Sequence, residues 1–299
     1  MKIKLSVTLA TFNEEENLGR CLDSVKTIAD EIIIVDGSST DSTRTIAKKF
    51  GAKITKTSNK PIFHINKQQA VDQARGEWIL ALDADEEVSK NLATEIKKII
   101  EMTEEEIRLR KVKASETDQK KWQLFERHQN LLAKRDGAFN QSAKETVAFF
   151  IPRVNVFLGH QMRHTGVYPD GVIRLFKKDK ASFPAKSVHE QIQVEGRVDW
   201  LTHDLLHYDS PTFEKYLKRA NRYTDLTAQE LNSQQVSINL WNSLYYLIVK
   251  PKLIFLSLFV RHKGFLDGFA GFVFSLMSGI HWAVAYMKYW EIKKSGESE

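Results

Sequence analysis

The sequence has 299 residues, with 44 lysines and arginines against 38 aspartates and glutamates, which gives a formal net charge of +6. That length accommodates one large α/β domain with appendages, or two domains. The modest positive excess suits anionic partners, either phosphorylated substrates or an acidic membrane surface, and is too small to indicate nucleic acid. The single cysteine, Cys21, excludes an internal disulfide and is consistent with a reducing compartment.

The first 90 residues alternate between strand and helix patterns. Residues 1–6 are strand-like and lack the apolar run of a secretion signal. Strands are predicted at 5–9, 31–35, 53–57 and 78–82, and helices at 13–28, 42–50 and 65–75. This rhythm predicts a mostly parallel, Rossmann-like α/β sheet with helices on both faces.

Polar side chains stand where these predicted strands end. They are Thr11, Asn13, Glu14, Asp36 and Asp83. Ligands of open α/β sheets bind beyond the carboxyl ends of the strands, so these residues are expected to share one site. Asn13 or Thr11 is also expected to cap the first helix.

Two carboxylates, Asp83 and Asp85, follow the apolar strand at 78–82. Their spacing at a strand end places both side chains on one side. Such a pair needs a cation or hydrogen bonds, and a divalent metal carrying a substrate diphosphate would supply the cation. The alternative is that both residues only begin a turn and cap the next helix.

The middle of the chain changes in texture. Residues 102–147 are rich in Lys, Glu and Gln, which predicts a solvated insertion of two or three peripheral helices. Residues 148–183, including 174–176, are predicted as sheet edges and loops. Short strands are expected at 192–194 and 205–208, and a helix at 216–231.

The tail holds apolar runs at 253–260 and 264–287. The second run is long enough to span a bilayer, but it contains Asp267, His281 and several glycines. The pattern therefore favours helices that lie on a membrane surface with a basic rim. The alternative is a buried helical pair docked on the catalytic domain or on a second subunit.

Several motifs resemble the family 2 glycosyltransferases, which have the GT-A fold. The matching motifs over the first 90 residues are Thr11-x-Asn13-Glu14, the run 35–41 and Asp83-Ala84-Asp85-Glu86. The later part resembles a bacterial subgroup typified by the lipopolysaccharide core β-1,4-glucosyltransferases. Its matching features are Arg174-Leu175-Phe176, Val188-His189-Glu190, His207-Tyr208, 218–223 and 264–268. The 102–146 insertion is longer than in that subgroup.

The resemblance implies an inverting, metal-dependent glycosyltransferase, with Mn²⁺ or Mg²⁺ as cofactor. It would move glucose or another hexose from a UDP-sugar to a hydroxyl of a cell-envelope glycan or glycolipid. It also implies four segments, namely a nucleotide-sugar-binding half at 1–101, the helical insertion at 102–147, an acceptor-side half at 148–239 and C-terminal helices at 240–299. The expected location is cytoplasmic, peripheral on the inner face of the cytoplasmic membrane. Homo-oligomers through the C-terminal helices are conceivable, and no nucleic-acid partner is expected.

The implied site has a nucleotide side, a metal and a base. The expected nucleotide-sugar ligands are Thr11, Asn13, Glu14, Asp36, Lys67, Asp83, Ala84, Lys218 and Arg222. Asp36 can accept a hydrogen bond from the imide N–H of uracil. Lys67 either donates to a carbonyl of the base or is an exposed lysine without this role. Lys218 and Arg222 are one helical turn apart and can bind a diphosphate together.

Asp85 is the expected direct metal ligand, and Asp83 contacts the ribose or the metal through water. His207 is either a further metal or phosphate contact or a hydrogen-bonded structural histidine. Glu190 is the expected general base, and Asp170 is the next candidate. His189 is expected to orient either that base or the acceptor.

Other functions fit the sequence less well. It contains no Gly-x-Gly-x-x-Gly motif and no P-loop, which disfavours dinucleotide oxidoreduction and ATP hydrolysis. A sugar nucleotidyltransferase would want a glycine- and arginine-rich phosphate loop after the first strand, which is missing between Thr11 and Asn17. A non-catalytic, membrane-associated scaffold is disfavoured by the intact Asp83, Asp85 and Glu190.

Overall fold

The computed structural model describes residues 3–112, 116–136, 143–184 and 192–296. The chain forms two compact units, Met1–Arg153 with Pro169–His207, and Val154–Tyr168 with Tyr208–Glu299. The first unit holds most of the sheet, and the second holds the C-terminal helices. The four-segment division at residues 101, 147 and 239 stays a prediction.

The described residues form one large sheet of ten strands. Its strands are β1 (Leu5–Thr11), β2 (Glu31–Asp36), β3 (Lys53–Lys56), β4 (Trp78–Leu82), β5 (Glu86–Val88), β6 (Thr146–Phe157), β7 (His160–Gln161), β8 (Asp170–Lys177), β11 (Arg197–Trp200) and β12 (Leu205–Ser210). The order is β3-β2-β1-β4-β8-β6-β12-β5, and β7 and β11 both pair with β6. Two short strands, β9 (Ala181–Ser182) and β10 (Gln193–Val194), form a separate hairpin-like pair.

The first half of the sheet is parallel, and the second half is mixed, with β11 parallel to β6. Strands β3, β2, β1 and β4 pair in parallel, as the alternating sequence pattern predicts. Strand β8 then pairs antiparallel with both β4 and β6, and β12 pairs antiparallel with β5. The result is a mixed α/β sheet, and the predicted mostly parallel arrangement holds for β1 to β4.

The prediction that residues 174–176 lie at a sheet edge or in a loop is wrong. Leu175 pairs with Leu80 on one side and Phe149 on the other, so β8 is an interior strand. Residues 173–176 are all buried because helices cover both faces here. Arg174 interrupts the apolar residues of β8, so the sequence pattern does not indicate a buried strand.

The helices cover both faces of the sheet. They are α1 (Leu18–Val25), α2 (Thr43–Lys49), α3 (His64–Asp72), α4 (Lys90–Ile99), α5 (Glu104–Leu109) and α6 (Glu116–Asp136). Alternate residues of β4 enter different cores, since Leu80 packs in the cluster with α1 and α4, whereas Ile79 packs in the cluster with α3 and α6. Helix α6 belongs to the predicted solvated insertion, yet its Phe125 is buried and stacks on Trp200 at 4.7 Å. One face of that helix is therefore core.

The second unit is dominated by helices. Helix α7 (Phe213–Ser233) is followed by α8 (Leu240–Leu244), a π-helical turn (Tyr245–Val249), α9 (Lys250–Leu256) and a second π-helical turn (Ser257–Arg261). A 3₁₀ turn (Gly264–Asp267) leads into α10 (Gly268–Gly296). Pro251 cannot donate to the turn before it, which accounts for the first π-helical turn. Two helices, Leu240–Arg261 and Gly264–Ser295, are long and apolar enough to cross a membrane, by length and composition alone.

Candidate active site

The ends of β1 and β2 carry a linked group of polar side chains. The register pairs Thr11 with Asp36, and the Thr11 hydroxyl donates to Asp36 Oδ2 at 3.1 Å. Ser39 donates to the same carboxylate from its hydroxyl at 2.5 Å and from its backbone N–H at 3.0 Å. Asp36 is fully buried, so its carboxylate shapes the loop that follows β2.

The loops after β1 and β2 are joined by hydrogen bonds. The Asn13 side-chain oxygen accepts from the Thr40 N–H at 2.9 Å, and the Glu14 N–H donates to the Thr43 hydroxyl at 2.7 Å. The prediction that Asn13 or Thr11 caps α1 is wrong, because both side chains bond to the neighbouring strand and loop. The N-cap position is Asn17, without a side-chain cap bond. Thr11, Asn13, Glu14 and Asp36 therefore meet at one rim, as predicted.

Asp83 stands at the end of β4 between two cations. Lys67 Nζ lies 2.5 Å from Asp83 Oδ1, and the Arg174 guanidinium contacts Oδ2. Burial raises the pKa of Asp83, but the Arg174 and Lys67 charges outweigh that effect and hold its pKa well below the usual range. The carboxylate is consequently ionised. Lys67 lies at the end of β4 and is not an exposed lysine, since its side chain is 11% exposed.

Glu86 is fully buried and ties this region together. Its Oε1 accepts from Arg174 Nη2 at 2.8 Å and from Arg153 Nη1 at 3.3 Å. Its Oε2 accepts from the Asp83 N–H at 3.0 Å, so it also fixes the turn that presents Asp83. Burial lowers the pKa of Arg174, but the neighbouring Asp83 and Glu86 carboxylates raise it above its ordinary value. Both arginines therefore remain charged.

Asp85 faces His207 across the strand pairing. Strand β12 pairs His207 with Glu86 on β5, which brings its ring beside the acid pair. His207 Nε2 lies 3.4 Å from Asp85 Oδ2. Burial raises the pKa of Asp85, and the hydrogen bond and charge of His207 outweigh it and lower that pKa. A carboxylate and an imidazole at this distance are a usable ligand pair for a transition-metal cation.

A cavity of about 240 Å³ opens beside these residues. Its polar wall is made by Lys67, Asp83 and Arg174, and its apolar wall includes Phe183 and Ile192. The charged wall can bind an anionic group, and the apolar wall excludes water from it.

The remaining predicted site residues are Ala84, Lys218, Arg222, His189 and Glu190. Ala84 is 5% exposed and packs in the core, so only its backbone is available to a ligand. Lys218 and Arg222 are on α7 in the second unit, where Lys218 Nζ lies 2.8 Å from Glu214 Oε1. Glu190 and His189 lie outside the described residues.

Sequence reasoning did not select Glu86, Arg153 or Arg174 as site residues. The available signal was the charge pattern, since two arginines on strands that are otherwise apolar need buried acids as partners. Glu86, three residues after Asp83, is the acid that meets both.

An α/β sheet with polar loops at its parallel strand ends, and with an ionised Asp-x-Asp pair beside buried cations, is typical of the GT-A glycosyltransferases. The sequence profile of glycosyl transferase family 2 matches residues 6–158, just over half of the chain. The protein belongs to glycosyl transferase family 2, which confirms the predicted family, enzyme class and GT-A fold.

The relatives agree with this assignment. An uncharacterized glycosyltransferase of Rickettsia typhi is 28% identical over 285 residues, covering 92% of this chain and 82% of the relative. The lipopolysaccharide core biosynthesis glycosyltransferase LpsC of Rhizobium meliloti is 26% identical over 291 residues, covering 94% of this chain and 89% of LpsC.

Among solved structures, glucosyl-3-phosphoglycerate synthase from Mycobacterium tuberculosis, in complex with Mn²⁺, uridine diphosphate and glucosyl-3-phosphoglycerate, is 24% identical. The match covers 28% of this chain and 34% of that one, with a TM-score of 0.26. A likeness of this extent has no bearing on the function of this chain.

Proposed function

We propose that this protein is an inverting, metal-dependent hexosyltransferase that uses a UDP-sugar donor and a cell-envelope glycan or glycolipid acceptor. The observation that carries the proposal is the pairing of Asp85 with His207 beside Asp83, Lys67 and Arg174 at the end of β4. The acceptor class is supported by the likeness to LpsC, a lipopolysaccharide core biosynthesis glycosyltransferase that resembles this chain over most of its length.

Asp85 and His207 are the residues that would hold the divalent cation. A bound cation would stabilise the negative charge that develops on the leaving diphosphate. The donor set favours Mn²⁺ over Mg²⁺, because Mg²⁺ prefers oxygen ligands alone and imidazole suits the transition metals. Asp83, whose two oxygens already contact Lys67 and Arg174, is better placed to reach the donor than to be the primary metal ligand.

The rim built by Thr11, Asn13, Glu14 and Asp36 is proposed to hold the uridine. Phe12, which sequence reasoning missed, is 42% exposed beside that rim and offers an aromatic face on which a base can stack. Asp36 Oδ1 accepts from the Ser39 N–H at 3.0 Å and lies 3.6 Å from Arg44 Nε. A carboxylate oxygen has two lone pairs, so Oδ1 can also accept the imide N–H. Lys67 and Arg174 would contact the diphosphate and sugar of the donor from the cavity wall. Lys218 and Arg222 are proposed to bind the diphosphate as well.

Glu190 is proposed as the general base for the acceptor hydroxyl. Ile192, two residues further along, lines the cavity that holds Asp83 and Arg174. Asp170, the next candidate, has its Oδ2 occupied by Arg153 at 2.6 and 2.9 Å.

The test of the donor and metal assignment is thermal unfolding with UDP and Mn²⁺. Bound ligand stabilises the folded state by about 2.7 kcal/mol at a hundredfold excess over Kd. Asp85→Ala should lose most of the stabilisation that depends on Mn²⁺, and His207→Gln should lose a smaller share of it. Asp23→Ala, an exposed acid on α1, is the control and should behave as the wild type. An unchanged metal-dependent shift in Asp85→Ala removes Asp85 from the site.

We also propose that the enzyme is peripheral on the inner face of the cytoplasmic membrane, through its C-terminal helices. The helix Leu240–Arg261 is apolar, and none of its most apolar stretch is buried. Trp241 is 80% exposed and Leu253 is 55% exposed. A soluble core helix would be covered, so this surface suits the interface of a bilayer.

The contacts of α10 favour helices that lie on the membrane over helices that cross it. His281 bonds to Thr227 on the polar helix α7 at 3.0 Å, and Lys288 bonds to Asp225 at 2.6 Å. A spanning α10 would have to carry α7 into the hydrocarbon, where its charged residues are costly.

A further inference from the structure

We propose that the turn between the two apolar helices binds the phosphate group of an anionic lipid. The site, called here the basic turn, consists of Arg163, Arg261, His262 and Lys263. The inference rests on the proposed membrane contact and adds to it a defined ligand group and its residues.

A buried carboxylate assembles the basic turn from two distant parts of the chain. Asp267 is 3% exposed and accepts from the His164 N–H at 2.8 Å, from His164 Nδ1 at 2.9 Å and from the Arg163 N–H at 3.3 Å. Because Asp267 ends the 3₁₀ turn after Lys263, these bonds fix Arg163 beside the helix connection.

Close backbone packing reinforces this arrangement. The Thr165 N–H donates to the His262 carbonyl at 3.1 Å. A Cβ on Gly264 would lie 2.7 Å from Thr165 Cγ2 and 2.8 Å from the Leu258 carbonyl oxygen, so only glycine fits. Two segments about a hundred residues apart are thus held as one surface.

The surface has an excess of positive charge. Arg261, His262 and Lys263 are exposed, and Asp267 is the only acid within residues 160–166 and 257–267. Since that acid is buried and hydrogen-bonded to His164, the charge presented to solvent is cationic. Clustered cations of this kind attract anionic headgroups within a Debye length.

Apolar side chains on both sides of the cations favour a lipid over a soluble phosphate. Val260 is 56% exposed, Phe265 51%, Leu266 55% and Phe269 76%. Large apolar and aromatic groups that alternate with lysine and arginine match the depth profile of a bilayer interface, where side chains enter the acyl region and cations meet phosphates. A protein that binds only free phosphate has no use for these exposed groups.

The experiment is vesicle co-sedimentation of the full-length protein. Vesicles of phosphatidylcholine alone are compared with vesicles that also contain phosphatidylglycerol. The Arg261→Gln/Lys263→Gln double variant should bind anionic vesicles roughly 25-fold more weakly, about five-fold for each charge removed. The charge-matched control is Lys53→Gln/Lys56→Gln, which removes two exposed lysines from β3 and should bind as the wild type.

Asp267→Asn is the second variant, with folding checked by circular dichroism. It keeps every surface cation but weakens the hydrogen bonds that hold residues 163 and 164 beside the helix connection. Its affinity for anionic vesicles should therefore fall, while its binding to neutral vesicles stays unchanged. Equal losses in both double variants would show a dependence on net charge only and would overturn the proposal. If millimolar inorganic phosphate occupies the basic turn as well as anionic vesicles do, the turn binds a soluble phosphate. That result would also overturn the proposal.

Donor binding separates this proposal from the proposed function. UDP with Mn²⁺ should stabilise the Arg261→Gln/Lys263→Gln variant as it does the wild type, since these residues are outside the donor site. Loss of vesicle binding with intact donor binding supports the basic turn. A wild-type protein that binds donor but no vesicle of either kind overturns the lipid site and leaves the transferase assignment intact.

Discussion

Glu86→Gln tests whether one buried carboxylate organises the catalytic strand end. The substitution keeps the side-chain volume, so it creates no cavity, but it removes the charge that faces two guanidinium groups. Glu86 accepts from Arg174 at 2.8 and 3.2 Å, from Arg153 at 3.3 Å and from the Asp83 N–H at 3.0 Å. A glutamine amide points its NH₂ either at a guanidinium or at that N–H, and in both orientations a donor faces a donor.

Breaking a buried ion pair from one side costs about 3–5 kcal/mol. We therefore expect the free energy of unfolding to fall by roughly that amount, measured by urea denaturation at pH 7 with midpoint and slope both fitted. The neighbouring Glu87→Gln is the control. Glu87 is 28% exposed and lies 3.7 Å from Arg20, so its loss should cost less than about 1 kcal/mol.

The same variant should also bind UDP with Mn²⁺ more weakly, because Glu86 holds the backbone of Asp83. If Glu86→Gln unfolds within about 1 kcal/mol of Glu87→Gln, the buried network does not contribute as argued. Its contacts would then be a consequence of the fold and not a support for the site.

Two further predictions concern packing and pH. Gly279→Ala should lower the free energy of unfolding by about 1–3 kcal/mol, since its Cβ would lie 2.5 Å from the Pro251 carbonyl oxygen; Gly19→Ala on α1, with 3.8 Å of clearance, should be neutral or stabilising. The hydrogen bond to Glu95 raises the pKa of His203, although burial alone would lower it. This pair therefore stabilises the folded protein fully below about pH 6.5, and the stabilisation is lost as the pH rises through the raised pKa. His203→Gln should therefore be more destabilising at pH 5.5 than at pH 9 in urea titrations.

The parallel half of the fold was predictable because each element there is locally consistent. Strand β4 is a continuous apolar run that ends in acids, and it was predicted with its observed bounds, Trp78–Leu82. The meeting of Thr11 with Asp36 also followed, since parallel neighbours end at one edge. Periodicity and strand-end chemistry were sufficient for this part of the site.

The antiparallel half was less predictable because its partners are distant in sequence. Arg174 is 88 residues from Glu86, and only the pairing of β8 between β4 and β6 brings them together. His207 reaches Asp85 through the register of β12 with β5, which no local pattern encodes. A structural role for that histidine was an equal alternative in the sequence, and only its proximity to Asp85 favours the metal.

The choice between two candidate bases gives the last prediction. Asp170 Oδ2 bonds to both Nε and Nη2 of Arg153, and Arg153 also bonds to Glu86, so Asp170 belongs to the network that supports the strand end. A carboxylate engaged in this way is poorly available to take a proton from an acceptor hydroxyl. Asp170→Asn should therefore lower stability and reduce turnover only through the weakened support.

Glu190→Gln should behave in the opposite way. It should leave UDP affinity near the wild-type value in calorimetric titrations with Mn²⁺, and it should reduce turnover by at least about 100-fold, the lower end of the effect of removing a general base. Transfer is to be measured on the isolated envelope glycan or glycolipid that accepts the sugar. Wild-type turnover in Glu190→Gln, together with a large loss in Asp170→Asn at unchanged stability, would make Asp170 the base. Loss of UDP binding in Glu190→Gln would instead place Glu190 on the donor side, because a residue that only activates the acceptor has no reason to affect nucleotide affinity.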